Sequence, residues 1–411
     1  MGVLDAIRGI FWAYTVFWAG YVLGLPIYSK LRPRARPPIL RHGEPSVVII
    51  VPIRNMASSI ERCIRSIKES TGAVRNVRIF VVADHCDDDT AERAERAGAE
   101  VLVRNDGPPG KTYTLSWTFR TFAETGVRAD LYVVVDATAE IDSRFLPAMI
   151  DMWRHGEDIV VSHPAVDPAN KRWFARSLGL MLAHRNIQNR SRERLRLSAL
   201  IEGRGMAYSS SYIDRHGWSL AVPEAHVQGT HPTEDWRHAV RAAEHGHRVA
   251  FADDARVFTA LRDSLVAATK QGIRWERGRV ANAGTYALRL LLIGLRRKSR
   301  LMTLAALDAI QPPVAILGAL SLAAALWTAA TASTAAGVAI GFLPVLLLVL
   351  YTPAVVTQAA RDGISPATLL WAPAYIAWRC IAFALAWLFL GRFRGRRGAS
   401  SPGKESLTSS N

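Results

Sequence analysis

Cysteine is scarce in this chain of 411 residues: Cys63, Cys86 and Cys380 are too few for a disulfide framework and stand in no metal-ligand spacing. A reducing compartment fits that usage. Spaced metal pairs with a carboxylate helper are also missing among His155, His163, His184, His216, His226, His231, His238, His245 and His247, which read as surface or core residues. Acid is short relative to base, with 35 Asp and Glu against 51 Lys and Arg and a net charge of +16. Such an excess suggests a nucleic-acid partner only when it gathers on one folded face. Here much of it flanks apolar stretches. Lys30, Arg32, Arg34, Arg36 and Arg41 follow the first stretch, Arg296, Arg297, Lys298 and Arg300 precede the second, and Arg392, Arg394, Arg396 and Arg397 follow the last. That is the signature of membrane topology, and it argues against nucleic acid. There is no internal repeat. The first apolar stretch lacks a strong basic lead and a small-residue cleavage pattern, so it is expected to remain as an anchor.

Half of the residues are hydrophobic, and their arrangement divides the chain. Four stretches reach bilayer-spanning length: 10–28, 314–330, 335–357 and 367–390. The expected organisation is an N-terminal anchor over 1–29, a basic Pro-rich linker over 30–45 and a cytosolic domain over 46–295. A basic interfacial segment over 296–313, spans over 314–391 and a disordered basic tail over 392–411 follow. Within the central domain, Val47–Val51, Arg78–Ala83, Glu100–Val103 and Leu131–Val135 read as buried strands separated by helical segments. The fold class is therefore α/β, a mostly parallel sheet with helices on both faces, flanked by transmembrane helices. The topology does not close: if the first linker is cytosolic and every later stretch spans, the Arg-rich 392–397 segment lies outside, against the positive-inside tendency. Either one stretch, such as the last with Arg379 inside it, is interfacial or re-entrant, or the tendency fails here.

Sheets of this class bind ligands at the carboxyl ends of their strands. The first strand ends in Val51-Pro52-Ile53-Arg54-Asn55. The second ends in Ala83-Asp84-His85-Cys86-Asp87-Asp88-Asp89-Thr90, where Asp84 suits a base or ribose and Asp87 to Asp89 suit a helix cap. Leu131–Val135 delivers Asp136, which suits a divalent cation facing a diphosphate, although a loop cap is the plainer alternative. Thr233-Glu234-Asp235-Trp236 opens a helix, where the acids alone would be ordinary caps. In Gln271-Gly272-Ile273-Arg274-Trp275 the spacing i, i+3, i+4 puts Gln271, Arg274 and Trp275 on one helical face. Arg274 there suits a phosphate and Trp275 a sugar ring, while an interfacial amphipathic helix is the alternative. Arg185, Arg190, Arg192, Arg194 and Arg196 read first as a solvated or membrane-facing helix face, and second as a site for an anionic acceptor.

These motifs occur in one order, together with Gly110-Lys111 and Gly203-Arg204-Gly205-Met206. In that order, over about residues 46–290 and the flanking spans, the chain resembles the membrane-bound branch of glycosyltransferase family 2, with cellulose, hyaluronan and poly-N-acetylglucosamine synthases. The resemblance implies a nucleotide-sugar-binding domain of the GT-A, Rossmann-like type and an inverting transfer. It implies that Pro52, Asn55, Asp84, Lys111 and Asp136 bind the nucleotide-sugar, that Asp136 also meets a Mg²⁺ or Mn²⁺ ion, and that Asp235 is the catalytic base. Gln271, Arg274 and Trp275, with the turn at Gly203 and Gly205, would hold the diphosphate and face the acceptor. The implied partners are a UDP-sugar donor, a glycan or polyprenyl-linked acceptor and membrane lipids, at the cytoplasmic membrane with the catalytic domain in the cytosol. One departure stands out. The family usually carries a second Asp two residues after the first, and this chain has Thr138, a far poorer ligand for a hard cation; either Glu140 or His231 substitutes, or Asp136 and the diphosphate alone hold the metal, or activity is weak or absent. A catalytically silent membrane scaffold partnering another transferase is the competing expectation.

Overall fold

The computed structural model describes residues 2–72, 74–201, 203–218, 234–259 and 264–388. Runs of Val and Ile favour extended backbone because branched side chains pack well on a pleated surface. They form β1 (Val47–Ile53), β2 (Val77–Asp84), β3 (Glu100–Arg104) and β4 (Leu131–Val135), each within a residue or two of the expected bounds. Four shorter or more polar strands complete the sheet: β5 (Ala139–Ile141), β6 (Ile159–Val166), β7 (Gly205–Ser209) and β8 (Ala250–Thr259). The order is β3-β2-β1-β4-β7-β6-β8-β5. The β3-β2-β1-β4 half is parallel throughout, as expected, whereas β7 runs antiparallel to both β4 and β6, so the other half is mixed.

Alternation along β1 builds a layer on each face. Val47, Ile49, Val51 and Ile53 pack against α2 (Ile60–Thr71) and α5 (Phe145–Arg154). Val48 and Ile50 pack on the opposite face with Leu115, Phe119 and Phe122 of α4 (Lys111–Thr125). Ile60, Ile64 and Ile67 of α2 recur at helical spacing and are fully buried; each contributes about 1.5–3 kcal/mol of apolar burial. Shorter helices follow in chain order: α3 (Thr90–Arg96) between β2 and β3, and α7 (Ser210–His216) and α8 (Glu234–Glu244) between β7 and β8.

Among the described residues four helices are long and apolar enough to cross a membrane: α1 (Val3–Leu31), α11 (Val314–Thr331), α13 (Leu343–Arg361) and the stretch Pro366–Leu388. The last opens as a 3-10 turn, Pro366–Trp371, and continues as α14 (Ala372–Leu388). The expected span over 335–357 is corrected. It is two helices, α12 (Ala335–Gly341) and α13, because Pro344 lacks the N–H that a helix interior needs and sits instead in the first turn of a new helix. Between domain and spans lie α9 (Leu265–Arg296) and α10 (Arg300–Ile310), packed on each other.

The long helix α6 (Trp173–Arg194) sits between the sheet domain and helices α1 and α13. Arg190 and Arg192 on it and Arg196 just after it are not a solvated face, whereas Arg194 is exposed. Arg192 is fully buried and bonds both oxygens of Asp308 at 2.8 and 2.6 Å and the hydroxyl of Tyr21 at 2.9 Å. Arg190 pairs with Asp253 at 2.7 Å and with Gln358 at 2.7 Å, and Arg196 pairs with Glu157. Carboxylates from distant parts of the chain consume these charges. The basic linker is also docked: Arg41 reaches Asp158 at 2.6 Å, and Arg36 reaches Asp151 at 2.8 Å.

Candidate active site

Because β1, β2 and β4 are parallel neighbours, Asn55, Asp84 and Asp136 arrive at one sheet edge. Asn55 has a left-handed backbone (φ 50°), which its short amide tolerates. Its Oδ1 accepts from the N–H of Asp87 at 3.1 Å, tying the loop after β1 to the loop after β2. Pro52 lies beside it, half-buried at the end of β1. In the second loop Asp88, rather than Asp89, is the main acceptor: its Oδ1 takes the N–H of Thr90 at 3.1 Å, while Asp89 pairs with Arg93 at 2.8 Å.

Asp84 is 3% exposed, and both of its oxygens are engaged. Oδ1 meets Arg104, which lies opposite it in register, and Nδ1 of His85 at 3.0 Å; Oδ2 accepts from Gly110 N–H at 2.9 Å. Burial alone would raise the carboxyl, but the bonds from Gly110, His85, Thr114 and Arg104 outweigh it and hold Asp84 below the usual carboxylate range. Gly110 immediately precedes α4, so Asp84 fixes the N-terminus of that helix and the lysine that opens it.

Lys111 is that lysine. Its ammonium lies 2.6 Å from Oδ1 of Asp136 and 2.8 Å from the carbonyl of Gly203. It thereby joins three of the motifs. The carbonyl is available because Gly203 adopts φ 68° at the tight turn before β7. Gly205 pairs with Val135 and has no room for a side chain, since an ideal Cβ would lie 2.9 Å from both Phe145 Cε2 and Val257 Cγ2. Between them, Arg204 stands over the ring of Trp275, 5.9 Å from its centroid. This contact brings the Gly203–Met206 turn to the Gln271–Trp275 segment of α9, on which Arg274 is exposed.

Asp235 lies in the first turn of α8, and its side chain falls outside the described residues, as do Thr233 and His231. One turn further, His238 packs on Trp218 with ring centroids 4.7 Å apart. Burial, then the charges of Lys111 and Arg241, lowers it to about 4, so it is neutral. Beneath Asp136 the thiol of Cys63 is pushed up to about 12 by burial and by the nearby carboxylates of Asp136 and Glu140, which makes it inert as a nucleophile.

Asp136 is the carboxylate a cation would use. Thr138 is half-buried beside it, and Glu140 is exposed and pairs with Arg62 at 3.8 Å. Among the described residues no group of three His, Cys, Asp or Glu is placed to hold a metal ion. Asp136 with one hydroxyl neighbour suits a cation that arrives with substrate phosphates and keeps its waters, as Mg²⁺ does.

Sequence reasoning missed Arg104 and Arg204. Arg104 carried a signal, a lone cation at a strand end beside Asp84, whereas the partner of Arg204 is visible only in three dimensions.

Known proteins resemble the chain at two levels. It is 31% identical over 116 residues to the low-salt glycan biosynthesis hexosyltransferase Agl6 of Haloferax volcanii, covering 28% of this chain and 26% of that protein. The chain thus spans about a quarter of that relative's length. The mannosyltransferase PcManGT from Pyrobaculum calidifontis, solved with GDP-Man and Mn²⁺, superposes with a TM-score of 0.56 at 16% identity, covering 92% of this chain and 99% of that one. It shares the curled mixed sheet of GT-A glycosyltransferases. Residues 45–278, more than half of the chain and with the whole sheet edge among them, match the family described as Glycosyltransferase like family 2, and the chain belongs to that family.

Proposed function

We propose that this chain is a membrane-held, inverting glycosyltransferase that moves a sugar from a nucleotide-sugar, a UDP-sugar first among them, to a glycan or polyprenyl-linked acceptor. The observation that carries this reading is the Lys111 ammonium held between Asp136 and the Gly203 carbonyl. A cation fixed at the N-terminus of α4 adds to the partial positive charge of the helix end, a natural seat for a diphosphate.

In the proposed reaction, Asp235 takes the proton of an acceptor hydroxyl as its oxygen attacks the anomeric carbon. The bond from that carbon to the diphosphate breaks, and the nucleoside diphosphate leaves with the electron pair. Lys111 and Arg274 meet the charge that develops on it. Pro52, Asn55 and Asp84 frame the nucleotide end, Asp84 acting through Gly110 and Arg104. Trp275, backed by Arg204, and the Gly203–Gly205 turn face the acceptor, with Gln271 on the same helical face. Asp136 would hold Mg²⁺ or Mn²⁺ together with the donor's phosphate oxygens, and the chemistry supplied is charge neutralisation of the leaving group.

The domain over 46–295 is proposed to face the cytosol, where nucleotide-sugars are made, between the anchor and the C-terminal spans. Replacing Lys111→Gln tests the reading at its centre. Loss of charge-assisted bonds of ~1.5–3 kcal/mol should lower kcat/KM for the donor about 10- to 100-fold. An unchanged kcat/KM would remove Lys111 from the site.

A further inference from the structure

Thr269, Gly272, Glu276 and Arg279 recur along α9 at i, i+3, i+7 and i+10. That spacing gathers them on one stripe of the helix, roughly 120° around from the stripe that carries Gln271, Arg274 and Trp275. Burial follows the two stripes: Gly272 and Glu276 are buried, whereas Arg274 is exposed.

The buried stripe is gripped by α14. The indole N–H of Trp378 donates to the Thr269 hydroxyl at 2.8 Å, and that hydroxyl donates in turn to the carbonyl of Leu265 at 2.7 Å. The next residue, Arg379, is buried, and its guanidinium donates to Glu276, which also takes Arg279. Between these two points an ideal Cβ at Gly272 would lie 3.0 Å from Nη1 of Arg379, so the glycine leaves the space in which the guanidinium lies along α9. Two adjacent residues of α14 thus hold α9 just before Gln271 and just after Trp275. The grip is itself fixed to other elements. Arg279 donates to the Gln311 carbonyl, ahead of α11, at 3.3 Å, and the Trp378 ring meets that of Trp173, which opens α6, with centroids 6.1 Å apart.

An ionisable residue inside an apolar helix is costly and marks function by default. Its buried ion pair adds little net stability, because desolvation of the two charges offsets their attraction. What the pair supplies is geometry. We propose that Arg379 and Trp378 are positioning residues, which fix the rotation and height of α9 so that Arg274 meets the diphosphate leaving group. This rests on the transferase reading and gives α14 a part in the reaction beyond anchoring. Both residues act from the back of the helix whose front carries Arg274.

The test uses full-length protein in detergent and hydrolysis of labelled UDP-glucose, UDP-N-acetylglucosamine and GDP-mannose, with kcat and KM taken on the donor that the wild type consumes. Arg379→Lys keeps the charge and loses the planar guanidinium. It should lower kcat about ten-fold, as a small misplacement of a charged group does, with KM within about two-fold and one donor still bound per chain. Trp378→Phe loses only the N–H and Thr269→Val only its acceptor; each should lower kcat about three-fold, and the two together no further, as the two ends of one hydrogen bond behave. In an Arg274→Gln background all three substitutions should lose their effect on kcat, because the group they position is gone. Unchanged kcat in both Arg379→Lys and Trp378→Phe, losses that persist in full beside Arg274→Gln, or a fall in donor-binding stoichiometry in place of kcat overturns this inference and leaves the transferase reading intact. Hydrolysis of none of the three donors by the wild type counts against the transferase reading and removes this inference with it.

Discussion

Thr138 follows Asp136 at the spacing where a second carboxylate would complete a cation pair, and a hydroxyl in that place leaves one charged oxygen donor group. Transfer should then need Mg²⁺ or Mn²⁺ at higher concentration than a two-carboxylate site would, and Thr138→Asp should shift the metal titration to lower concentration. Wild-type transfer undiminished by chelator would remove the metal from Asp136 and leave Lys111 and Arg274 as the neutralising charges. At this scale much of the candidate site was legible, because Asp84 and Asp136 stand at strand ends and Gln271, Arg274 and Trp275 share one helical face by spacing, while Lys111 came from the family resemblance. What Asp84 does was less so. Its position at a strand end suggested a ligand, but its bonds to Gly110 and Arg104 come from β3 and the following loop, which no single-strand pattern reveals. Arg379 read as an obstacle to spanning for the same reason: its partner Glu276 lies on another helix.

Elements carry a second kind of coupling. His163 on β6 is 1% exposed and sits between Asp253 of β8 at 3.0 Å and Asp362, just after α13, at 3.1 Å. Arg190 of α6 grips Asp253 from the other side. Burial would lower the imidazole, but the two carboxylates outweigh it and raise it above 6.5. Asp253 moves the other way: burial opposes ionisation, yet His163 and Arg190 hold it well below the usual range. Since the folded His163 keeps its proton longer than the unfolded one, its contribution is full below the unfolded value and is lost as pH rises through the folded value. The Asp253 contribution is present above the unfolded carboxylate value and is lost as pH falls. His163→Gln should therefore cost about 3–5 kcal/mol near pH 6, as breaking a buried pair does, and the gap in thermal stability from wild type should narrow towards pH 9. A gap that widens with pH would contradict the assigned charge. The four parallel strands were legible from their apolar runs. The strands β5 to β8 were not, being short, polar or interrupted, and the break before α13 turned on Pro344 alone.

At the scale of the molecule, the buried pair of Arg379 and Glu276 removes one objection to the last stretch crossing a membrane, while the charges at 392–397 lie outside the described residues. Docking of Arg36 and Arg41 on Asp151 and Asp158 means that the first basic flank serves the fold as well as topology. Reporter fusions after Arg41 and after Arg300 should both read as cytosolic, given the basic flanks; an external reading at either would leave the donor on the wrong side. The most direct test of the proposed transfer is turnover of a panel of labelled nucleotide-sugars by purified full-length protein, wild type against Asp235→Asn, with donor binding measured alongside. Wild type should turn over one donor, and Asp235→Asn should lose ~10²–10⁴-fold in rate while binding that donor nearly as well, because a general base acts in the transition state. Undiminished turnover in Asp235→Asn, or equal loss of binding and rate, would contradict it.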